Sequence, residues 1–104
     1  MTTQPTSTYW VSIGRNIGET PMWRRDWHAY CRSIRNLGDV IAEVNGQSEW
    51  EGIAEETYLV LLSIPTDSVP TVRAQLTTLA TLHKQDGIGF VGGPGTDTYI
   101  GADK

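Results

Sequence analysis

The residues predict an α+β chain in which one antiparallel sheet carries two helices on one face. Three observations lead there. "TYWVSIG" alternates, with Tyr9, Val11 and Ile13 on one side and Trp10 and Ser12 on the other, which is the period of a strand. Two stretches repeat at steps of three and four, the period of an amphipathic helix. They are Trp23, Trp27, Tyr30, Ile34 and Leu37, then Val69, Val72, Leu76, Leu79 and Leu82 or His83. Finally, apolar segments bounded by Gly and Pro place two strands between those helices and one or two after them.

In order, the first strand is followed by a loop, "RNIGE". Thr20 is expected to cap the first helix, with Pro21 at its first position, where a missing N–H costs nothing. That helix should run to about Asn36 and stop at Gly38. "DVIAEVNG" is expected as a strand, "QSEWEGIAEE" as a loop and "TYLVLLSI" as a strand ended by Pro65. Asp67 or Ser68 should cap a second helix from about Val69 to Gln85, closed by Asp86-Gly87. "IGFV" is a further strand, "GGPGTD" a turn and "TYI" a short returning strand. The order βαββαβ with an added C-terminal strand, joined by right-handed crossovers, is that of a ferredoxin-like two-layer sandwich.

All 104 residues are expected to form one domain, with residues 1–7 and 102–104 as flexible ends. A single cysteine, Cys31, leaves no internal disulfide and suits a reducing compartment. No apolar run spans a bilayer, and the N-terminus has neither a basic nor an apolar leader region. A cytoplasmic location is expected, with no membrane partner. The net charge of −4 is uneven: residues 1–37 hold five arginines against two acids, and the remainder holds three cations against ten acids. Such asymmetry steers an anionic partner or mates with the chain's own acidic side.

"TYLVLLSI" is apolar on both sides, with Tyr58, Val60, Leu62 and Ile64 on one face and Leu59 and Leu61 on the other. A sheet with helices on one face should be polar on its second face. Trp10 adds to the excess, so a homodimer or higher oligomer through the sheet face is expected, with Trp10, Tyr58 and Trp50 as partner contacts; the alternative is that the C-terminal strand or the N-terminal segment folds over that face.

The string G-x-G-x-x-G at Gly87, Gly89 and Gly92 fails as a dinucleotide fingerprint, because a helix precedes it and a Pro-Gly turn follows. "SIGRNIGETP" is a better anion site: it places Arg15, Asn16 and free amides near a helix start, although Glu19 opposes an anion and Arg15 has the alternative of pairing with a carboxylate. Arg25, His28, Arg32 and Arg35 recur at helical steps and form a cationic stripe, read either as a ligand or partner surface or as a solvated face. His28 and Cys31 are one turn apart, but a structural zinc needs four ligands, so neither a metal nor another cofactor is expected. Glu55 and Glu56 point to opposite sides if extended. No nucleophile or acid–base motif proposes a reaction.

"VSIGRNIGETPM" with Trp27 after it, and "WEGIAEE" ahead of a strand, resemble small uncharacterised proteins encoded by actinobacterial phages. That resemblance implies an accessory protein of the host cytoplasm acting on a host protein or an anionic small molecule. The general shape also resembles dimeric antibiotic-biosynthesis monooxygenases, which use Asn, Trp, Tyr and Arg between sheet and helices. Asn16, Trp27 and Arg15 are available for such a set. The leading expectation is a non-enzymatic, oligomeric binding protein. The alternatives are a cofactor-independent enzyme of that dimeric type and, less favoured given the negative charge, a nucleic-acid binder using the arginine stripe.

Overall fold

A computed structural model describes residues 5–92 and 97–101. Its elements are β1 (Thr6–Gly14), β2 (Asn16–Ile17), β3 (Thr20–Pro21), α1 (Arg24–Arg35), β4 (Asp39–Trp50), β5 (Ile53–Pro65), α2 (Val69–Leu82), β6 (Gly87–Gly92) and β7 (Asp97–Gly101). The main sheet among the described residues has five strands in the order β4-β5-β1-β6-β7, all antiparallel. The chain is therefore α+β with two helices, as its hydrophobic periods predict.

Tyr9, Val11 and Ile13 of β1 are buried, as are Tyr58, Val60, Leu62 and Ile64 of β5 and Ile88 and Phe90 of β6. They form one cluster with Trp27, Tyr30 and Ile34 of α1 and Val72, Leu76 and Ala80 of α2, so both helices cover the same face. Tyr9 stacks on Phe90 with centroids 4.1 Å apart, and the Arg73 guanidinium lies 5.0 Å from the Phe90 ring. His83 stacks on Tyr30 at 4.3 Å, which settles the choice at the end of α2: His83 turns inward and Leu82 is exposed.

Several boundaries differ from expectation, each for a local reason. Residues 1–4 and 102–104 lie outside the described residues, but Thr6 and Ser7, expected at a flexible end, already pair with Pro65 and Ile64. Thr20 and Pro21 do not start the first helix. They pair with Asn16 and Ile17 across a turn at Gly18, whose φ is +62°, and α1 begins at Arg24. The Arg15 carbonyl accepts the Met22 N–H and the Arg15 Nε–H donates to the Met22 carbonyl, both at 2.9 Å. That clamp buries Met22 and leaves Trp23, expected in the core stripe, 79% exposed.

"QSEWEGIAEE" is not a loop. β4 and β5 pair continuously from Asp39 opposite Ser63 to Trp50 opposite Ile53, apart from a bulge between Val40 and Ala42. Glu51 (φ 50°) and Gly52 (φ 81°) form a two-residue turn with both φ positive, the arrangement whose twist suits a hairpin. Because β1 ends opposite Thr57, the outer part of this hairpin projects past its neighbour.

α2 stops at Leu82, three residues early. Gln85 N–H donates to Ala80 and Lys84 N–H to Thr81, with Lys84 left-handed at φ 57°. This is a Schellman closure built on Lys rather than Gly. Gly87, expected to stop the helix, opens β6 instead. The expected turn over residues 92–97 lies mostly outside the described residues, but β7 does return beside β6. A Cβ at Gly92 would meet the Thr8 carbonyl, and one at Gly89 would meet Ser12. The neighbour that approaches these glycines is β1, through its backbone at Gly92 and chiefly through the Ser12 side chain at Gly89.

Candidate functional site

The Arg15 loop holds the chain's own carboxylates. Arg15 is 16% exposed, and its guanidinium pairs with Glu56 Oε1 at 3.3 Å. The Asn16 N–H donates to Glu55 Oε2 at 2.8 Å, and Asn16 Nδ2 donates to the Ala54 carbonyl at 3.2 Å. Gln85 Nε2 in turn donates to the Asn16 carbonyl at 2.9 Å. Arg15 and Asn16, expected to receive an anionic ligand, are thus committed to the β5 carboxylates and to the end of α2. The pairing of Arg15 with a carboxylate, the alternative to a ligand site, is the arrangement observed.

The stripe on α1 does border a cleft. A hollow of about 330 Å³ separates α1 from the β4–β5 hairpin, lined on the helix side by Trp27, His28, Cys31, Arg32 and Arg35. Its opposite wall is Glu43, Asn45, Glu56 and Tyr58. Strand parity explains that wall. Glu43 and Asn45 lie opposite Val60 and Tyr58 in register, so they share the helix-facing side of the sheet beyond the reach of the core. Arg25 is left out; its guanidinium, 88% exposed, lies 3.5 Å from Asp26.

Charges in the cleft are nearly balanced. Arg35 Nε lies 3.2 Å from Glu43 Oε2, which also accepts the Tyr58 hydroxyl at 3.3 Å. Arg15 neutralises Glu56 from behind. Among the described residues, no carboxylate lies within ion-pair distance of Arg32. It is the cation on this wall that remains available.

The two weak acids lining the cleft are held neutral. Burial pushes the Cys31 thiol up to about 11, with Glu56 adding to the effect and Arg35 opposing it. Burial, then the negative charge of Glu43, pushes Tyr58 up to about 12. Neither group has the lowered pKa of an activated nucleophile.

Tyr58 faces the helix layer and is 2% exposed, so it does not share the open face of the sheet with Trp10 as a partner contact. Trp10 does lie on that face. Trp50 is placed by its backbone alone, at the end of β4 opposite Ile53. Among the described residues, no three His, Cys, Asp or Glu side chains gather as a metal site, and no helix is long and apolar enough to cross a membrane.

The opposite wall draws on stretches with the pattern of ordinary strands and on one with the composition of a loop, so no motif singles it out. A signal existed: Glu43, Asn45, Gln47 and Glu49 are polar at every second position, which marks one wetted strand face continuing into the presumed loop. No protein-family model, curated protein or solved structure matches the chain.

Proposed function

We propose that this chain is a small binding protein that holds an anionic small molecule in the cleft between α1 and the β4–β5 hairpin. The observation that carries the reading is Arg32. It lines a concave, mixed-polarity site, with His28 one turn before it, and no described carboxylate neutralises it. A ligand anion would supply that charge, while Asn45 across the cleft offers both donors and an acceptor for its neutral groups. The volume falls at the small end of ligand sites and suits a metabolite-sized molecule rather than a polymer. The high pKa values of Cys31 and Tyr58 favour binding over covalent or acid–base chemistry.

The order β4-β5-β1-β6, with α1 joining β1 to β4 and α2 joining β5 to β6, supports a ferredoxin-like sandwich with β7 added at one edge.

One observation favours a second reading. Asn45, Trp27, Tyr58 and Arg35 share the cleft, the residue types used by the monooxygenase-like dimers, at positions other than the expected Asn16 and Arg15. Calorimetric titration with inorganic phosphate, citrate and a nucleoside monophosphate separates the readings. Saturable binding lost in Arg32→Glu supports the binding protein. Dioxygen uptake with an electron-rich phenol, abolished by Asn45→Ala, would move the assignment to the enzyme. Neither response would refute both.

A further inference from the structure

The side of the sheet away from the helices has no covering element among the described residues, and its chemistry is unusual for this acidic chain. Ala42, Leu61, Trp10 and Val91 form one rung across four strands, and Val44, Leu59, Ser12 and Gly89 form the next. Val44 is 52% and Val91 45% exposed. The flanking positions on this face are Thr8, Gly46, Ser48, Thr57 and Ser63, with Ser48 and Thr57 hydrogen-bonded to each other at 2.7 Å. From Thr8 to Ser12, Ala42 to Ser48, Thr57 to Ser63 and Gly89 to Val91, no outward position is charged. The acids nearest in register, Asp39, Glu55 and Asp97, stand at the margins.

We propose that this face is the contact surface for a second copy of the chain, the two sheets packing face to face about a two-fold axis. Three arguments select that occupant. First, the chain carries a net charge of −4, so two copies repel wherever their acids meet, and this uncharged face lets them approach without that cost. Interface centres are depleted in charge in the same way.

Second, the relief is self-complementary. Trp10, half-buried and the largest side chain of its rung, stands next to the rung of the small Ser12 and Gly89, and a two-fold axis seats the Trp10 of each copy over the small rung of the other. Third, the area matches a self-association of modest strength. A strand spacing of ~4.8 Å and a two-residue repeat of ~6.7 Å give the uncharged positions a flat footprint of about 400 Å² per copy. Side-chain relief and the rim bring a pair close to the ~1,000 Å² from which specific interfaces begin. The dimer should therefore form and dissociate with concentration. This inference is independent of the cleft, which lies on the other side of the sheet.

The test is analytical ultracentrifugation of the wild-type chain over a hundredfold range of concentration, beside Leu61→Lys and Val44→Lys. Val44 is exposed already, so its variant keeps the fold even if Leu61→Lys does not, and circular dichroism verifies this. The wild type should move from the monomer mass towards twice that mass. Val44→Lys should weaken association by about tenfold or more, because the two-fold brings like charges together. Raising the salt should strengthen the wild-type dimer by screening the remaining acids. A wild type that stays monomeric throughout overturns the proposal. So does a dimer that survives both lysine variants unchanged, since its interface would then lie elsewhere, for example along the β4 edge.

Discussion

Gly14 offers a direct test of how the Arg15 loop is filled. The Glu55 carboxylate lies where a Gly14 Cβ would stand, and from there it accepts the Asn16 N–H at 2.8 Å. In Gly14→Ala the flexible Glu55 side chain can swing clear, so the steric cost is small. The cost is the charge-assisted hydrogen bond it leaves behind, worth about 1.5–3 kcal/mol. Because Glu55 is only partly buried, the lower end of that range applies, about 1.5 kcal/mol. For a domain of this size, ~4–8 °C per kcal/mol turns that into a fall in Tm of about 6–12 °C. Glu55→Ala removes the same bond and should cost a similar amount. The double variant should be no less stable than Glu55→Ala alone, because the methyl then enters vacated space. Calorimetry of the four proteins reads the coupling directly. If the two losses simply add, Glu55 does not occupy the loop as described, and Arg15 and Asn16 return as candidates for an external anion.

Two titrations provide further checks. His83 has its pKa lowered by burial against Tyr30, with Asp26 partly opposing the shift. As pH falls through the ordinary value of 6.5, the unfolded chain takes up a proton that the folded one refuses, so stability should decline on acidification. In His83→Phe, urea midpoints at pH 8 and 5.5 should differ less than in wild type; equal differences would remove His83 as the cause. Cys31, raised from 9.0 to about 11, should be alkylated by iodoacetamide with a native pH–rate midpoint near 11 and a midpoint near 9.0 in urea. At pH 8 that means roughly a hundredfold less thiolate in the folded chain. A native midpoint at or below 9.0 would contradict the burial of this thiol against the cleft.

Where the sequence could be read and where it could not follows from the kind of interaction that decides each element. The core of β1, β5 and both helices was legible because burial imposes a period, and Tyr9, Val11, Trp27, Tyr30, Val72 and Leu76 obey it. Boundaries failed where one tertiary contact overrode local preference. Thr20-Pro21 has the local chemistry of a helix start, yet the Arg15 clamp on Met22 holds it in a hairpin. Asp86-Gly87 has the chemistry of a helix stop, yet Lys84 accepts the left-handed position two residues earlier. Side-chain pairing across distant segments leaves no trace in spacing, so nothing in "SIGRNIGETP" shows that Glu55 and Glu56 will fill it.

The hairpin bears on function because its extension adds a wall residue, Glu56, to the cleft. Glu43, Asn45 and Tyr58 of the opposite wall stand alongside β1 or its register, on stretches already expected as strands, and the continuation of the strands past β1 to the Glu51-Gly52 turn adds Glu56. Glu-Gly between polar positions two apart was a readable turn signal, weaker than Asn-Gly because Glu tolerates positive φ poorly. The basic N-terminal third and the acidic remainder meet across the cleft, where Arg35 is matched by Glu43 and Arg15 by Glu56. Part of the asymmetry that pointed outward, towards an anionic partner, is therefore neutralised inside the molecule. What is left for a ligand is local: Arg32 and its neighbour His28, on a wall the hairpin has made concave.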